Sequence, residues 1–441
     1  MNVKSIARAF IGLVSVIASA FAAAAPIDLQ FWHPALGSVD VALQKHVDAF
    51  NASQSEYRVV PTAHGTYDET FNAMIAAYRS GKQPHLVTAI GQETLTLQLS
   101  GAVYPVQDLM VDFGQKVDWS RYIQPVVSYY KSKEGKLMSL PFSASTPILW
   151  YNKDAFSKAG LTRPPETWDE VGDYATKLRA AGYPCAYGSG WQQWVHVDNY
   201  AFMQDLPVAT QRNGMDGLNA EFVYNRSIVK HIAQIQSWVK DGRYEYLGRQ
   251  SSSAIPAFIS GRCAMVTTSS ANFGSVSRDA KFAYGAAMMP IEAGGKAAGP
   301  SLIGGGSIWV LKGHKPADYK GLSAFLAYLS SPDVQATWHK DTGYLPSTQD
   351  AYDKVKLSGY YNEFPAQEIA IKQLLRGTAT KESVAVRLGS PIQYVAVIEE
   401  ELEFVWSDKK TAQEAMDESV KRGNEILRRF QRQNAGAGSA K

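Results

Sequence analysis

The sequence predicts an α/β protein built as two domains. Strand-like and helix-like segments alternate along it, and its 441 residues exceed what one hydrophobic core serves. Hydrophobic residues make up 45% against 19% charged, enough to fill sizeable interiors. Ile27-Asp-Leu-Gln-Phe-Trp32 alternates apolar and polar side chains like a half-buried strand. Residues 39–50 put their apolar positions on one helical face, Tyr57-Arg-Val-Val60 reads as a strand, and 68–78 read as a second helix. A short apolar strand at 86–90 follows, then a further helical segment. Beyond Pro141 the alternation resumes with a helix at 168–178 and an apolar stripe of Ile228, Val229, Ile232, Ile235 and Val239 at helical spacing. Residues 263–267 and 307–311 read as buried strands, Leu322, Phe325, Leu326 and Leu329 as one face of a helix, and 412–430 as the last helix. Such alternation favours a largely parallel sheet. There is no fixed-period repeat, and the Ala- and Gly-rich tail 434–441 reads as disordered.

The amino-terminal segment points to secretion. Lys4 and Arg8 precede an apolar run at 9–21, and Ala22, Ala23, Ala24 and Ala25 supply small residues for cleavage, the three-part pattern of a signal peptide over 1–25. The run is too short for a membrane span. Cys185 and Cys263, an even pair in an oxidising compartment, fit one disulfide or two buried thiols equally. A formal charge of +3, two lower without Lys4 and Arg8, gives no basic stripe and no case for nucleic acid.

Catalytic motifs are missing: no His-Glu-x-x-His, no Gly-x-Ser-x-Gly elbow, no phosphate loop ending in Gly-Lys-Ser/Thr, no Cys-x-x-Cys. The eight histidines are scattered without helical ligand spacing, so no metal and no cofactor are expected. Glu399, Glu400, Glu401 and Glu403 read as a solvated helix face. The 10 Trp and 23 Tyr, with Gly- and Ser-rich loops, suit capture of a small polyol, because rings cover C–H surface while hydroxyls and backbone N–H groups fix orientation. Composition alone leaves a binding protein and a carbohydrate enzyme both open.

Several segments carry a resemblance. They are Leu140-Pro-Phe-Ser-Ala-Ser-Thr-Pro-Ile-Leu-Trp-Tyr-Asn-Lys-Asp-Ala-Phe156, Tyr187-Gly-Ser-Gly-Trp-Gln-Gln-Trp194, Cys263-Ala-Met-Val-Thr-Thr-Ser-Ser270, Ile303-Gly-Gly-Gly-Ser-Ile-Trp-Val310, Thr342-Gly-Tyr-Leu-Pro346 and Arg387-Leu-Gly389. In these the chain resembles the glycerol-3-phosphate-binding branch of the bacterial extracellular solute-binding proteins. The resemblance implies a two-lobe periplasmic binding protein fold of type II, with the ligand cleft between lobes joined by hinge strands. Lobe I then comprises 26–141 and 303–343, and lobe II 142–302 and 344–433. It implies a periplasmic monomer, not an enzyme, that delivers sn-glycerol 3-phosphate to the transmembrane permease subunits of an ABC importer.

Carried over position by position, the family pocket falls on Tyr67, Ser145, Trp191, Ser269, Gly305, Tyr344 and Arg387, with Glu93, Trp194 and Gly306 as further candidates. The residue types suit a phosphorylated polyol. Arg387 offers a fork of charged donors to a phosphate dianion. The hydroxyls of Ser145, Ser269, Tyr67 and Tyr344 pair with phosphate or glycerol oxygens, Gly304, Gly305 and Gly306 let the backbone approach, and Trp191 covers the carbon chain. One departure matters. Where the family places a glutamate after the third strand, Gly91 stands in Ala89-Ile-Gly-Gln-Glu-Thr94. That leaves room for a larger head group, so glycerophosphodiesters such as glycerophosphocholine join the expected ligands. Glu93, two residues on, has the place of an exposed carboxylate at a helix start. The alternatives are a sugar or oligosaccharide receptor of the same fold and a secreted glycerophosphodiester hydrolase.

Overall fold

The computed structural model describes residues 25–249, 253–295 and 300–435. All of the expected signal peptide except Ala25 therefore lies outside the described residues. So does 436–441 of the expected tail, whose first residue closes the helix Ala412–Asn434.

Eleven strands among the described residues form two sheets. The strands are β1 (Ile27–His33), β2 (Tyr57–Ala63), β3 (Leu86–Ile90), β4 (Val103–Tyr104), β5 (Leu140–Ser145), β6 (Pro147–Asn152), β7 (Cys185–Ser189), β8 (Tyr244–Glu245), β9 (Cys263–Ser269), β10 (Tyr284–Ala287) and β11 (Gly304–Leu311). The first sheet runs β2-β1-β3-β11-β4, with β5 also paired to β11; the second runs β10-β6-β9-β7-β8. β5, β7 and β9 are buried along their whole length, as strands covered on both faces must be. Helices cover the sheets, and several start on side-chain caps: Thr66 and Thr411 each build a full capping box, and Thr167, Ser331 and Thr348 each accept a backbone N–H of the first turn. No helix among the described residues is long and apolar enough to cross a membrane.

The sheets are mixed rather than largely parallel. β1, β2 and β3 pair in parallel, as do β7, β8 and β9, but β11 runs antiparallel to β3, β4 and β5, and β6 antiparallel to β9 and β10. The parallel strands are those joined by helical crossovers, which return the chain in the same direction. β11 instead enters the first sheet from the second, so no crossover sets its direction.

Only Thr146 separates β5 in the first sheet from β6 in the second. It exchanges bonds with the outgoing and the returning chain alike: its Oγ1 donates to the Leu302 carbonyl at 3.0 Å, and its carbonyl accepts from the Ser270 N–H at 2.9 Å. Cys185 and Cys263 face each other in the β7–β9 register and are joined as a disulfide. The solvated-face reading of the glutamate run fails at Glu401, which is 1% exposed and paired with Lys410 at 2.5 Å and Arg422 at 2.8 Å. The helix Pro391–Trp406 turns Glu401 inward because it falls on the stripe of Tyr394, Ile398, Leu402 and Val405.

Candidate ligand-binding site

Tyr67, Ser145, Trp194 and Tyr344 gather on the glycine run where the chain passes from one sheet to the other. The glycine run at the start of β11 is the floor. Gly305 adopts a left-handed φ of 79°, and a Cβ there would lie 1.8 Å from the Ser143 carbonyl, so only glycine fits between β11 and β5. The other close neighbour of that position is the Tyr344 ring, at 3.2 Å. At Gly306 a Cβ would meet Thr88 at 2.6 Å and the Tyr67 ring at 3.2 Å, and at Gly304 the Trp194 ring at 2.4 Å. The three glycines thus hold three aromatic rings against bare backbone.

Tyr67 opens the helix Tyr67–Arg79, directly after its Thr66 cap, and its hydroxyl lies 3.5 Å from that of Tyr344. Trp338 stacks on the Tyr344 ring with planes 2° apart, and His339 Nδ1 donates to the Tyr344 carbonyl at 2.6 Å. Burial pushes the Tyr344 phenol up to about 12, and burial together with Tyr344 raises Tyr67 well above the ordinary tyrosine range. Both hydroxyls are therefore neutral donors at pH 7.

Ser145 ends β5 opposite Gly304, and Ser269 ends β9 opposite Pro147, so the two serines flank Thr146 from either sheet. Ser269 Oγ accepts from the Ala271 N–H at 3.2 Å and caps the turn Ser270–Asn272. Trp191 holds a left-handed φ of 51° and stands edge-on to Trp194, ring centroids 6.2 Å apart.

Glu93 is not an exposed helix-start carboxylate. It is 0% exposed, with one oxygen accepting from the Ile90 N–H at 3.0 Å and Oε1 without a partner. Burial, with Asp68 adding to it, raises its carboxyl well above the usual range, which favours a form that donates as well as accepts. Nor does Gly91 leave room for a ligand group: a Cβ there would lie 2.6 Å from the Tyr129 ring, which fills the space.

Arg387 sits at the seam between the halves, 3% exposed. Its Nη2 donates to the carbonyls of Lys131 at 2.6 Å and Tyr129 at 3.2 Å, while Nε has no partner. Among the described residues no carboxylate lies within ion-pair distance, and burial brings the guanidinium down to about 10, still charged at pH 7. A buried cation held only by neutral carbonyls is electrostatically incomplete. Its hydrogen bonds go to none of the other candidates.

The model of the family described as bacterial extracellular solute-binding protein matches residues 45–366. The chain belongs to this family. The solute-binding protein is 41% identical over 409 residues to the sn-glycerol-3-phosphate-binding periplasmic protein UgpB of Escherichia coli strain K12, covering 92% of itself and 93% of that relative. Against the protein of the same name from Salmonella typhimurium it is 40% identical over 433 residues, covering 97% and 99%. Its fold is similar to the crystal structure of UgpB from Mycobacterium tuberculosis in complex with glycerophosphocholine, at TM-score 0.76 and 21% identity, covering 92% and 99%. It is also similar to the sugar-binding protein MalE from Xanthomonas citri, at TM-score 0.70 and 19% identity, covering 92% and 98%. The solute-binding protein thus has the two-lobe α/β fold that the resemblance implied, one lobe around each sheet.

Sequence reasoning missed several groups at the seam of this solute-binding protein. Asp198 is 1% exposed within the π-helical turn Gln193–Asn199, its Oδ2 accepting from Gln193 Nε2 at 2.6 Å. Glu399 accepts from the Gln193 N–H at 2.8 Å, and burial pushes it, like Asp198, up to about 7. Nothing in the apolar periodicity marks Asp198, whose partner Gln193 lies within its own turn. The scattered histidines also meet: His85 and His314 stack at 4.0 Å, with Asp318 3.8 Å from His85 Nε2. The Gln30 N–H donates to His85 Nδ1, so neutral His85 carries its proton on Nε2 and offers a cation no lone pair there.

Proposed function

We propose that this protein captures sn-glycerol 3-phosphate, and diesters of it such as glycerophosphocholine, between its lobes and passes them to the transmembrane permease subunits of an ABC importer. It acts as a periplasmic monomer after loss of residues 1–25, without cofactor and without catalysis. Lobe I comprises 26–141 and 303–343, and lobe II 142–302 and 344–433. Tyr67, Ser145, Trp191, Ser269, Gly305, Tyr344 and Arg387 hold the ligand, with Glu93, Trp194 and Gly306 beside them.

The observation that carries the reading is Arg387: a buried guanidinium with a free Nε donor and no carboxylate partner. A phosphate supplies the missing charge. The orphaned Glu93 Oε1 and its neighbour Tyr67 suit the glycerol hydroxyls, and Trp191 and Trp194 the carbon chain. The ligands named for the Escherichia coli and Mycobacterium tuberculosis relatives point the same way.

Calorimetric titration of the mature protein with sn-glycerol 3-phosphate, glycerophosphocholine, glycerol and maltose tests it. Heat with the first two alone is expected, and Arg387→Ala should weaken both by about a hundredfold or more, the cost of one or two charged hydrogen bonds. The Trp191–Trp194 pair favours a second reading, a neutral sugar receptor; heat from maltose that survives Arg387→Ala would establish it instead. Choline or phosphate release from glycerophosphocholine would make the protein a hydrolase.

A further inference from the structure

Tyr129 belongs to none of the expected site positions, yet it touches two that matter. It follows the helix Gln124–Ser128, which packs on β5 of the first sheet, and is 2% exposed. Its ring fills the space at Gly91. Its carbonyl accepts from Arg387 Nη2 at 3.2 Å, and its hydroxyl donates to the Val386 carbonyl at 2.9 Å.

The 386–387 segment belongs to the other side. The Arg387 N–H donates to the Asn213 carbonyl at 2.8 Å, and Gly214 is pressed so closely on the Arg387 carbonyl that a Cβ would come within 2.2 Å. The neighbouring Phe222 packs on Tyr394 and bonds Asn424 of the helix Ala412–Asn434, which packs on the second-sheet helix Val229–Lys240. Backbone and side chain therefore cross the seam reciprocally: the second side gives a guanidinium to the carbonyls of Tyr129 and Lys131, and the first gives a hydroxyl to the carbonyl of Val386.

We propose that Tyr129 is a positioning residue that fixes the Arg387 guanidinium in the cleft and latches the two lobes in the closed arrangement. With Nη2 held by two carbonyls, the fork is fixed in direction and its remaining donors are left for an anion. Because the same bonds span the seam, they form only when the lobes approach. An anion that orders Arg387 therefore favours closure, and closure orders Arg387 for the anion. The ligand half of this proposal rests on the reading of Arg387 as the anion's partner; the latch half does not.

Tyr129→Phe tests it, since the ring stays against Gly91 and only the hydroxyl is lost; a thermal melt checks the fold. Stopped-flow binding of sn-glycerol 3-phosphate should show an unchanged on-rate and an off-rate raised about fivefold, the worth of one buried neutral hydrogen bond. A residue that merely supports the fold would not split the rates this way. In parallel, spin labels replacing the exposed Val41 and Lys230, one on each lobe, report the inter-lobe distance without ligand, where Tyr129→Phe should lengthen the mean distance. If the wild-type protein binds and the variant's off-rate matches it, the proposal fails while the ligand reading stands. Should the wild-type protein not bind sn-glycerol 3-phosphate, the ligand reading fails, and an unchanged distance then overturns the latch as well.

Discussion

Asp198 keeps a carboxyl group where water does not reach, bonded by Gln193 of its own turn. Burial raises it to about 7, against about 3.9 for an aspartate in an unfolded chain. Between those values the native state holds a proton that the unfolded state has released, so this group's contribution to stability falls as pH rises from about 4 to 7 and is constant above. Glu399 acts in the same sense; buried His196, held down to about 3, and His231, also lowered by burial, act in the opposite one. A difference measurement isolates the aspartate. The melting temperature of Asp198→Asn minus that of the wild type should increase from pH 5 to pH 8, and a pH-independent difference would remove Asp198 from the titration. At this scale the sequence was an uneven guide. Arg387, Tyr67, Tyr344 and the glycine run were marked by resemblance, and the structure brings the two tyrosines and the glycines into contact. Glu401 was readable in principle, three residues after Ile398 on an apolar stripe, but the adjacent glutamates masked it. Tyr129 carried no local mark, because what gives it meaning is a partner far away in the chain, the Val386 carbonyl.

The strand β11 shows what a single element imposes on the site. Its first residues have to pass between β5 and the Tyr344 ring, and the left-handed backbone at Gly305 with the carbonyl of Ser143 beside it leaves no space for a methyl group. Gly305→Ala should therefore cost more than about 2 kcal/mol, through strained φ and a displaced strand together. Urea unfolding measures the first effect and calorimetry the accompanying loss of binding. A variant with wild-type midpoint and affinity would show that β11 tolerates a side chain there. Helices and strands with clear periodicity were legible: the segments predicted at 39–50, 86–90, 168–178, 263–267 and 412–430 all lie inside observed elements of the predicted type. Strand direction was not legible. The division of the run from Leu140 to Asn152 at Thr146 into strands of different sheets is set by hydrogen bonds to residues far away in the chain.

Across the whole molecule the two lobes are unequally cross-linked. The Cys185–Cys263 bridge closes a loop with a sequence separation of 78 inside the second sheet, while both cysteines of the chain are spent there. In the chain-entropy view such a loop is worth about 4 kcal/mol. Replacing both cysteines by alanine should lower the melting temperature by several degrees and leave ligand affinity nearly unchanged, since neither residue reaches the cleft. A melt insensitive to the replacement would mean that the unfolded chain gains nothing from losing the link. The class and two-domain plan were legible at this scale from length and alternation; the mixing of directions within each sheet was not.

The order in which strands become available follows from where β11 lies in the chain. All five strands of the second sheet fall between Pro147 and Ala287, so they can associate among themselves as soon as that stretch exists. The earlier sheet waits. Until Gly304–Leu311 is made, β3 and β5 each present an open edge with nothing to pair, the kind of surface that invites wrong partners. The half of the molecule made first is thus the half completed last, and a chain truncated before residue 304 would carry a finished carboxyl-terminal sheet beside an unclosed and sticky amino-terminal one.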